Sequence, residues 1–179
     1  MELWCFVISP DRLYRHRNYN AWRTIMAKKN HSNEPVVVER TFAAPVERVW
    51  KAISTKEDMK RWSFDIQQFK PEVGFEFAFT AGPKEGVQYL HKCKVTEVIP
   101  QKKLSYSWRF EGYAGDSLVT FELSAEGNKT RLRLTHTGLE TFPPISDFAR
   151  ENFVLGWTSL IGKSLKGFVE GTSHAGASM

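Results

Sequence analysis

Two histidines are the side chains best suited to chemistry. His91 lies in the alternating run VQYLHKCKVTEV, where it shares a face with Tyr89 and Cys93, and His136 lies in TRLRLTHT, where it shares a face with two leucines. These neighbours predict that both rings face the interior. An inward-facing histidine can act as a general base or hydrogen-bond a ligand, and more often it is a satisfied core residue. The sequence leaves both interpretations open.

No other pattern predicts a catalytic residue, a cofactor or a metal site. The sequence contains no GxSxG string, no glycine-rich phosphate loop before a helix and no HExxH helix. The two histidines and Cys93 do not have the spacing of metal ligands. Cys93, on the predicted inner face, is typical of a small apolar core residue rather than a nucleophile. The sequence therefore favours a non-enzymatic function.

Aromatic residues make up 13% of the chain, including 13 Phe and 6 Trp. Such a content is typical of a large aromatic core or of an apolar pocket. If a pocket is present, we expect it to be lined by side chains that face inward by strand or helix spacing. These predicted ligand-binding residues are Trp62, Phe75, Phe77, Phe79, Tyr89, His91, Tyr106, Trp108, Phe121, His136, Phe153, Trp157 and Ile161. The alternative is that the same rings fill a solid core.

The elements that position these residues follow a simple order. A strand is predicted over VVVERTF, followed by two short helices, PVERVWKAI and KEDMKRW. Five strands follow, in FEFAFT, VQYLHKCKVTEV, LSYSWRF, SLVTFELS and TRLRLTHT, joined by short turns. A long amphipathic helix is then predicted over 146–171, with Ser146 as its N-cap. The pattern predicts an α+β fold in which helices cover one face of a six-stranded antiparallel sheet.

The two ends of the chain differ from this pattern. Residues 1–34 are polar and basic without a clean period, and we expect them to be a poorly ordered extension. MAKKNHSNEP, from Met26, resembles an ordinary N-terminus, so translation starting at Met26 and a basic peripheral arm are both open interpretations. We expect one domain over residues 35–171 and a frayed tail over 172–179.

The net charge and the cysteine content limit which partners and which cellular compartment are expected. The formal charge is +5, of which the head supplies more than half, so no nucleic-acid surface is predicted. No apolar run is long enough for a membrane span. With only two cysteines, far apart, a cytoplasmic location is the default expectation. A basic stripe on the outer sheet face is either an ordinary solvated face or a docking surface for an acidic partner; it comprises Lys92, Lys94, Arg109, Arg131 and Arg133.

Several strings resemble a known family. They are FAAPVERVWKAIST, Trp62 after the second short helix, VTEVIPQKKLSYSW, VTFELSAEGNKTRLRLTHTGL and Gly156-Trp157 in the last helix. They resemble the family named after the C-terminal domain of the activator of heat-shock protein 90 ATPase. That family lies within the helix-grip superfamily of START, polyketide-cyclase and birch-pollen-allergen proteins. The resemblance implies a curved sheet wrapped around a long C-terminal helix, often with a cavity between them.

The leading functional hypothesis is non-enzymatic binding of a small hydrophobic or amphipathic molecule in that cavity. Burial of apolar ligand surface would supply the affinity, and His91, Tyr106, Trp108 and His136 would orient the ligand. The family name implies a different alternative, a domain that binds a chaperone partner. A cyclase- or hydrolase-like enzyme is the third hypothesis.

Overall fold

The computed structural model describes residues 33–82 and 86–171. The predictions about an N-terminal extension, a start at Met26 and a frayed tail fall almost wholly outside these residues. Within the described part, no helix combines the length and apolar character that crossing a membrane requires.

Six strands form one antiparallel sheet, as the alternating pattern predicted. The strands are β1 (Val36–Phe42), β2 (Glu76–Ala81), β3 (Tyr89–Ile99), β4 (Lys103–Phe110), β5 (Ser117–Glu126) and β6 (Lys129–Thr137). Their order across the sheet is β1-β6-β5-β4-β3-β2, so the first strand reaches the far edge and pairs with the last. The sheet curves around the C-terminal helix, which confirms the helix-grip fold.

The two short helices follow β1, as expected. Helix α1 (Val46–Ser54) begins after Pro45, and helix α2 (Lys56–Trp62) follows it at once. A buried contact joins them, because the Nε1–H of Trp62 donates a 2.8 Å hydrogen bond to the carbonyl of Ala52. The carboxylate of Asp58 also accepts a 2.7 Å bond from the guanidinium of Arg48.

The C-terminal helix differs from its prediction at both its start and its middle. Ser146–Phe148 is a separate 3₁₀ turn, extended backbone at Ala149 follows, and helix α3 spans Arg150–Ser159. The predicted N-cap at Ser146 is therefore wrong. The Ser146 hydroxyl donates to the carboxylate of Asp147, while the side-chain amide of Asn152 donates to both their carbonyls and holds the turn.

Beyond α3 the backbone winds as a π-helix over Leu160–Leu165 and returns to α-helix in α4 (Lys166–Glu170). The spacing of apolar residues did not predict the π-helix, because the π-helix still directs the same apolar side chains toward the sheet. Ile161 and Leu165 are both fully buried. π segments of this kind often occur near functional sites.

The inner face of the sheet is packed and the outer face is ionic. Inner-face side chains of all six strands are buried with Trp157, Ile161 and Leu165 of the helical segment. On the outer face, every cation of the predicted basic stripe has a carboxylate partner. The pairs are Lys92–Glu111, Lys94–Glu76, Arg109–Asp116, Arg131–Glu126 and Arg133–Glu39. The stripe is therefore much less positive than its sequence suggests.

Candidate functional site

A cavity of about 450 Å³ lies between helix α3 and strands β2, β3 and β4. Its volume is within the range of small-molecule sites in proteins. Aromatic and aliphatic side chains form most of its lining, and Leu155, which is 69% exposed, stands at its outer edge. The lining residues are Phe64, Ala81, Gly82, Tyr89, His91, Trp108, Phe110, Asp147, Phe148, Asn152, Phe153, Leu155, Gly156, Trp157 and Leu160.

The structure brings five of the thirteen predicted site residues to this cavity: Tyr89, His91, Trp108, Phe153 and Trp157. The other eight lie elsewhere. Trp62, Phe77, Phe79, Tyr106 and Phe121 surround a void of only about 10 Å³, room for about one water molecule. Phe75 is half-buried beside Phe69, and His136 and Ile161 are fully buried without reaching the cavity.

The remaining lining residues were missed for different reasons. Phe110 was on the inner face by alternation, two residues beyond Trp108, so its spacing was a usable signal. Asp147, Phe148 and Asn152 belong to the irregular entry of helix α3, which a continuous helix would have placed differently. Phe64 lies in a segment without helix or strand, so residue spacing does not predict which way its side chain points.

The inner wall is a set of stacked and edge-packed rings. Antiparallel pairing places Phe79 opposite His91, and His91 opposite Phe110. The His91 ring stacks on Phe79 with 4.6 Å between centroids, and Phe64 stacks on the same phenyl ring at 4.2 Å. Trp108 meets His91 edge-on at 4.8 Å. These contacts fix the wall in position, so the cavity is largely preformed.

His91 is neutral at neutral pH. Burial lowers its pKa to about 4, although hydrogen bonds to the carbonyls of Tyr89 and Phe79 partly oppose this shift. The Nδ1 atom lies 3.0 Å from the Tyr89 carbonyl oxygen. No carboxylate in the described part of the chain pairs with this ring, and the hydrogen bonds found for it go to backbone carbonyls.

His136 is fully buried behind Trp157 and forms the centre of a hydrogen-bonded chain. The Nε1–H of Trp157 donates to Nδ1 of His136 at 3.0 Å, and Nε2 of His136 lies 2.8 Å from the hydroxyl of Ser117. That hydroxyl donates to the carbonyl of Trp108 at 3.0 Å. The directions agree only if His136 carries its proton on Nε2. Burial lowers its pKa to about 3, and the hydrogen bond from the indole ties this ring to Trp157.

Tyr89 and Asp147 form the main polar pair of the lining. The phenol donates a 2.7 Å hydrogen bond to Oδ2 of Asp147. This bond, to a negatively charged acceptor, raises the pKa of Tyr89 to about 12. The phenol therefore stays protonated, and Asp147 places a carboxylate at one side of a mostly apolar cavity.

Trp108 also lines the cavity, but its indole nitrogen is not exposed there. Its Nε1–H is buried and has no hydrogen-bond partner among the described residues. An unpaired buried donor costs roughly 1–3 kcal/mol, so most are satisfied.

Gly156 forms part of the helix wall. A Cβ atom built there has no heavy atom within 4 Å, so the missing side chain leaves open space in the cavity. Gly in the middle of a helix costs about 1 kcal/mol against Ala. At Gly156, the residue that is unfavourable for the helix is also one that leaves the cavity wider.

The described residues contain no group of three or more His, Cys, Asp or Glu side chains that could hold a metal ion. Burial raises the pKa of the Cys93 thiol, which keeps it protonated and poorly nucleophilic. The geometry is that of a mostly apolar cavity with a carboxylate, Asp147, on one side.

Comparison with known proteins gives a family and a set of similar structures. The model of the family described as "Activator of Hsp90 ATPase homolog 1-like protein" matches residues 43–170. No curated protein matches the chain. The solved structure of protein CV1439 from Chromobacterium violaceum is 22% identical with a TM-score of 0.66, over 77% of this chain and 98% of that one.

Two further structures are similar. Protein MLL2253 from Mesorhizobium loti is 28% identical with a TM-score of 0.62, over 78% of this chain and 99% of that one. DynU16, described as a protein in the dynemicin biosynthetic locus, is 20% identical with a TM-score of 0.64, over 78% of this chain and 48% of that one. At such identities the structures of CV1439 and DynU16 show the shared fold alone.

Proposed function

Because this chain belongs to the family of activator of Hsp90 ATPase homolog 1-like proteins, we propose that its START-like domain binds a small apolar or amphipathic molecule in the cavity beside helix α3. The observation that carries the proposal is the cavity itself, about 450 Å³ and lined mostly by aromatic rings. A concave site of this size with a mostly apolar lining is typical of small-molecule binding.

Apolar burial supplies the affinity. Each 100 Å² of ligand surface removed from water contributes about 2.5 kcal/mol before the costs of association. His91 and Phe64 of the lining both stack on Phe79 behind them, which lowers those costs, because few side chains must be ordered when a ligand enters. Planar rings suit this wall, since offset and edge-to-face contacts are favourable for aromatic groups.

Filling the cavity from the helix side tests the proposal. Gly156→Leu adds an isobutyl group whose Cβ meets no heavy atom within 4 Å, and it raises helix propensity, so the variant is expected to fold. Gly167→Leu is the matched control, because Gly167 lies in helix α4 with equally open surroundings and does not line the cavity.

The measurement is thermal unfolding with a panel of neutral aromatic probes, such as 2-naphthylmethanol. A probe at a hundredfold excess over its Kd stabilises the folded state by about 2.7 kcal/mol. We expect this stabilisation in the wild type and in Gly167→Leu and its loss in Gly156→Leu. Equal stabilisation of all three proteins, or of none, would contradict the proposal. Native mass spectrometry of freshly purified protein tests for a bound natural ligand.

The family's description favours a second candidate, binding of a chaperone partner. The basic stripe on the outer sheet face is the charged surface that such a partner could contact. Within it, Arg131 and Arg133 already pair with Glu126 and Glu39. If this surface docks an acidic partner, reversing Arg131 and Arg133 to Glu should abolish capture of a heat-shock protein 90 chaperone at low salt. Gly156→Leu should leave such capture unchanged, which separates the two functions.

A further inference from the structure

We propose that the cavity selects neutral or cationic aromatic amphiphiles that carry a hydrogen-bond donor at one end, and that it rejects anionic ones. This selection rests on the proposed function and specifies its ligand class. Asp147 is the residue that determines it. The half-buried carboxylate is the only acidic group in the described lining, and that lining contains no Lys or Arg.

Among the described residues, no cation is paired with the carboxylate of Asp147. The cation nearest to it in sequence is Arg150, whose guanidinium donates to the carbonyls of Glu34 and Pro35 at 3.2 and 3.0 Å. His91, the other titratable ring in the lining, is neutral at neutral pH because it is buried. A bound anion would therefore meet an unpaired negative charge.

The carboxylate still has room for a donor from the ligand. Oδ2 accepts from the Tyr89 hydroxyl at 2.7 Å, and Oδ1 accepts from the Ser146 hydroxyl at 3.1 Å. A carboxylate offers about four acceptor positions, so roughly two are free. An ammonium, hydroxyl or N–H group can occupy them, and charge-assisted bonds of this kind are the stronger ones.

The rest of the lining favours an aromatic body behind that donor. Beyond Asp147 the cavity is bounded mainly by Phe148, Phe153, Trp157 and Phe110. A donor at one end of the ligand thus matches the carboxylate, and an aromatic ring at the other end matches the aromatic lining.

Three probes with one naphthalene ring test this selection: 2-naphthylmethylamine, 2-naphthylmethanol and 2-naphthoate. Their Kd values are measured by calorimetry at about pH 7, where the first is a cation and the last an anion. We expect the amine to bind about tenfold more tightly than the carboxylate, with the alcohol between them. High salt should narrow this ratio in the wild type, a test that needs no variant.

Asp147→Asn keeps the shape of the side chain and removes its charge, and we expect it to bring the amine and the carboxylate within about threefold of each other. Asp65→Asn is the matched control. It removes the same charge from an exposed aspartate that pairs with Lys60 outside the lining, and it should preserve the wild-type ratio. Tyr89→Phe keeps the carboxylate and should also preserve the order.

The outcomes separate the selection from the proposed function. If the alcohol binds and Gly156→Leu prevents its binding, while the carboxylate binds as tightly as the amine, the cavity is a binding site and the charge selection is wrong. An Asp147→Asn protein with the full wild-type ratio would also overturn the selection. If no probe binds the wild type, the proposed function and the selection fall together.

Discussion

Acidification from about pH 7 to about pH 5 should destabilise this domain through its two buried histidines. Burial holds the pKa of His91 at about 4 and that of His136 at about 3, whereas the ordinary value is 6.5. Protonation would place a positive charge in the interior, where the described structure offers no counter-ion. The unfolded chain therefore binds more protons than the folded one below about pH 6.5.

The sign and size of the effect follow from this difference. Stability from each histidine is fully present above the unfolded pKa of 6.5 and is lost as the pH falls toward the folded values. Within that window, each histidine lowers the free energy of unfolding by about 1.4 kcal/mol for each unit by which the pH falls. Between about pH 7 and about pH 5 the two together should remove roughly 4 kcal/mol from the free energy of unfolding. Domains are typically stable by about 5–15 kcal/mol, so the loss should be easily measured.

Urea unfolding followed by tryptophan fluorescence at several pH values measures this slope. His91→Gln and His136→Gln should each lower the free energy of unfolding at pH 7, because each removes a buried ring and its contacts. Each should also reduce the loss between about pH 7 and about pH 5 by roughly half. A wild-type free energy that is flat over this interval would refute the reasoning. So would a slope that neither substitution changes, because the titrating groups would then lie elsewhere.

Two further substitutions test the packing that holds the site. Gly138 has a φ of +81°, and a Cβ added there would lie 2.8 Å from the Asp116 carbonyl oxygen, so Gly138→Ala should lower the free energy of unfolding by about 2 kcal/mol or more. Gly112 has a similar φ of +77° in open space, so Gly112→Ala should lower it by only about 1 kcal/mol. Equal losses in urea unfolding would show that crowding at Gly138 is unimportant. Thr130→Val removes a buried 2.8 Å hydrogen bond to the Ala44 carbonyl and should cost about 1–3 kcal/mol, whereas a neutral result would mean that the carbonyl finds another partner.

The family resemblance and the fold followed from short local strings and periods. Alternation placed Tyr106, Trp108 and Phe121 on the inner face, and all three are buried. Ser105, which precedes Tyr106 on β4, is only 2% exposed, and its hydroxyl donates a hydrogen bond to that of Thr120 on the neighbouring strand. Such cross-strand pairing depends on register, which a single strand does not encode.

Residue spacing is enough to assign the apolar face of each element, because side-chain direction alternates along a strand and repeats every 3.6 residues along a helix. Spacing does not distinguish the inward residues that fill the core from those that border a cavity. That distinction depends on the gap between the sheet and helix α3, and so on the volumes of side chains distant in sequence. For example, Phe121 packs against Tyr106 in the core, whereas Trp108 borders the cavity.

The tertiary structure also decided the polar chemistry of the site. Asp147 reaches the cavity because the chain turns at Ser146–Phe148 before helix α3 begins, and Tyr89 meets it from a position 58 residues earlier. His136 was a ligand candidate by its face alone. Its place behind Trp157, with both ring nitrogens bonded within the protein, makes it a support for the cavity wall. Hydrogen bonds between distant residues fixed these roles, and no local period specifies such bonds.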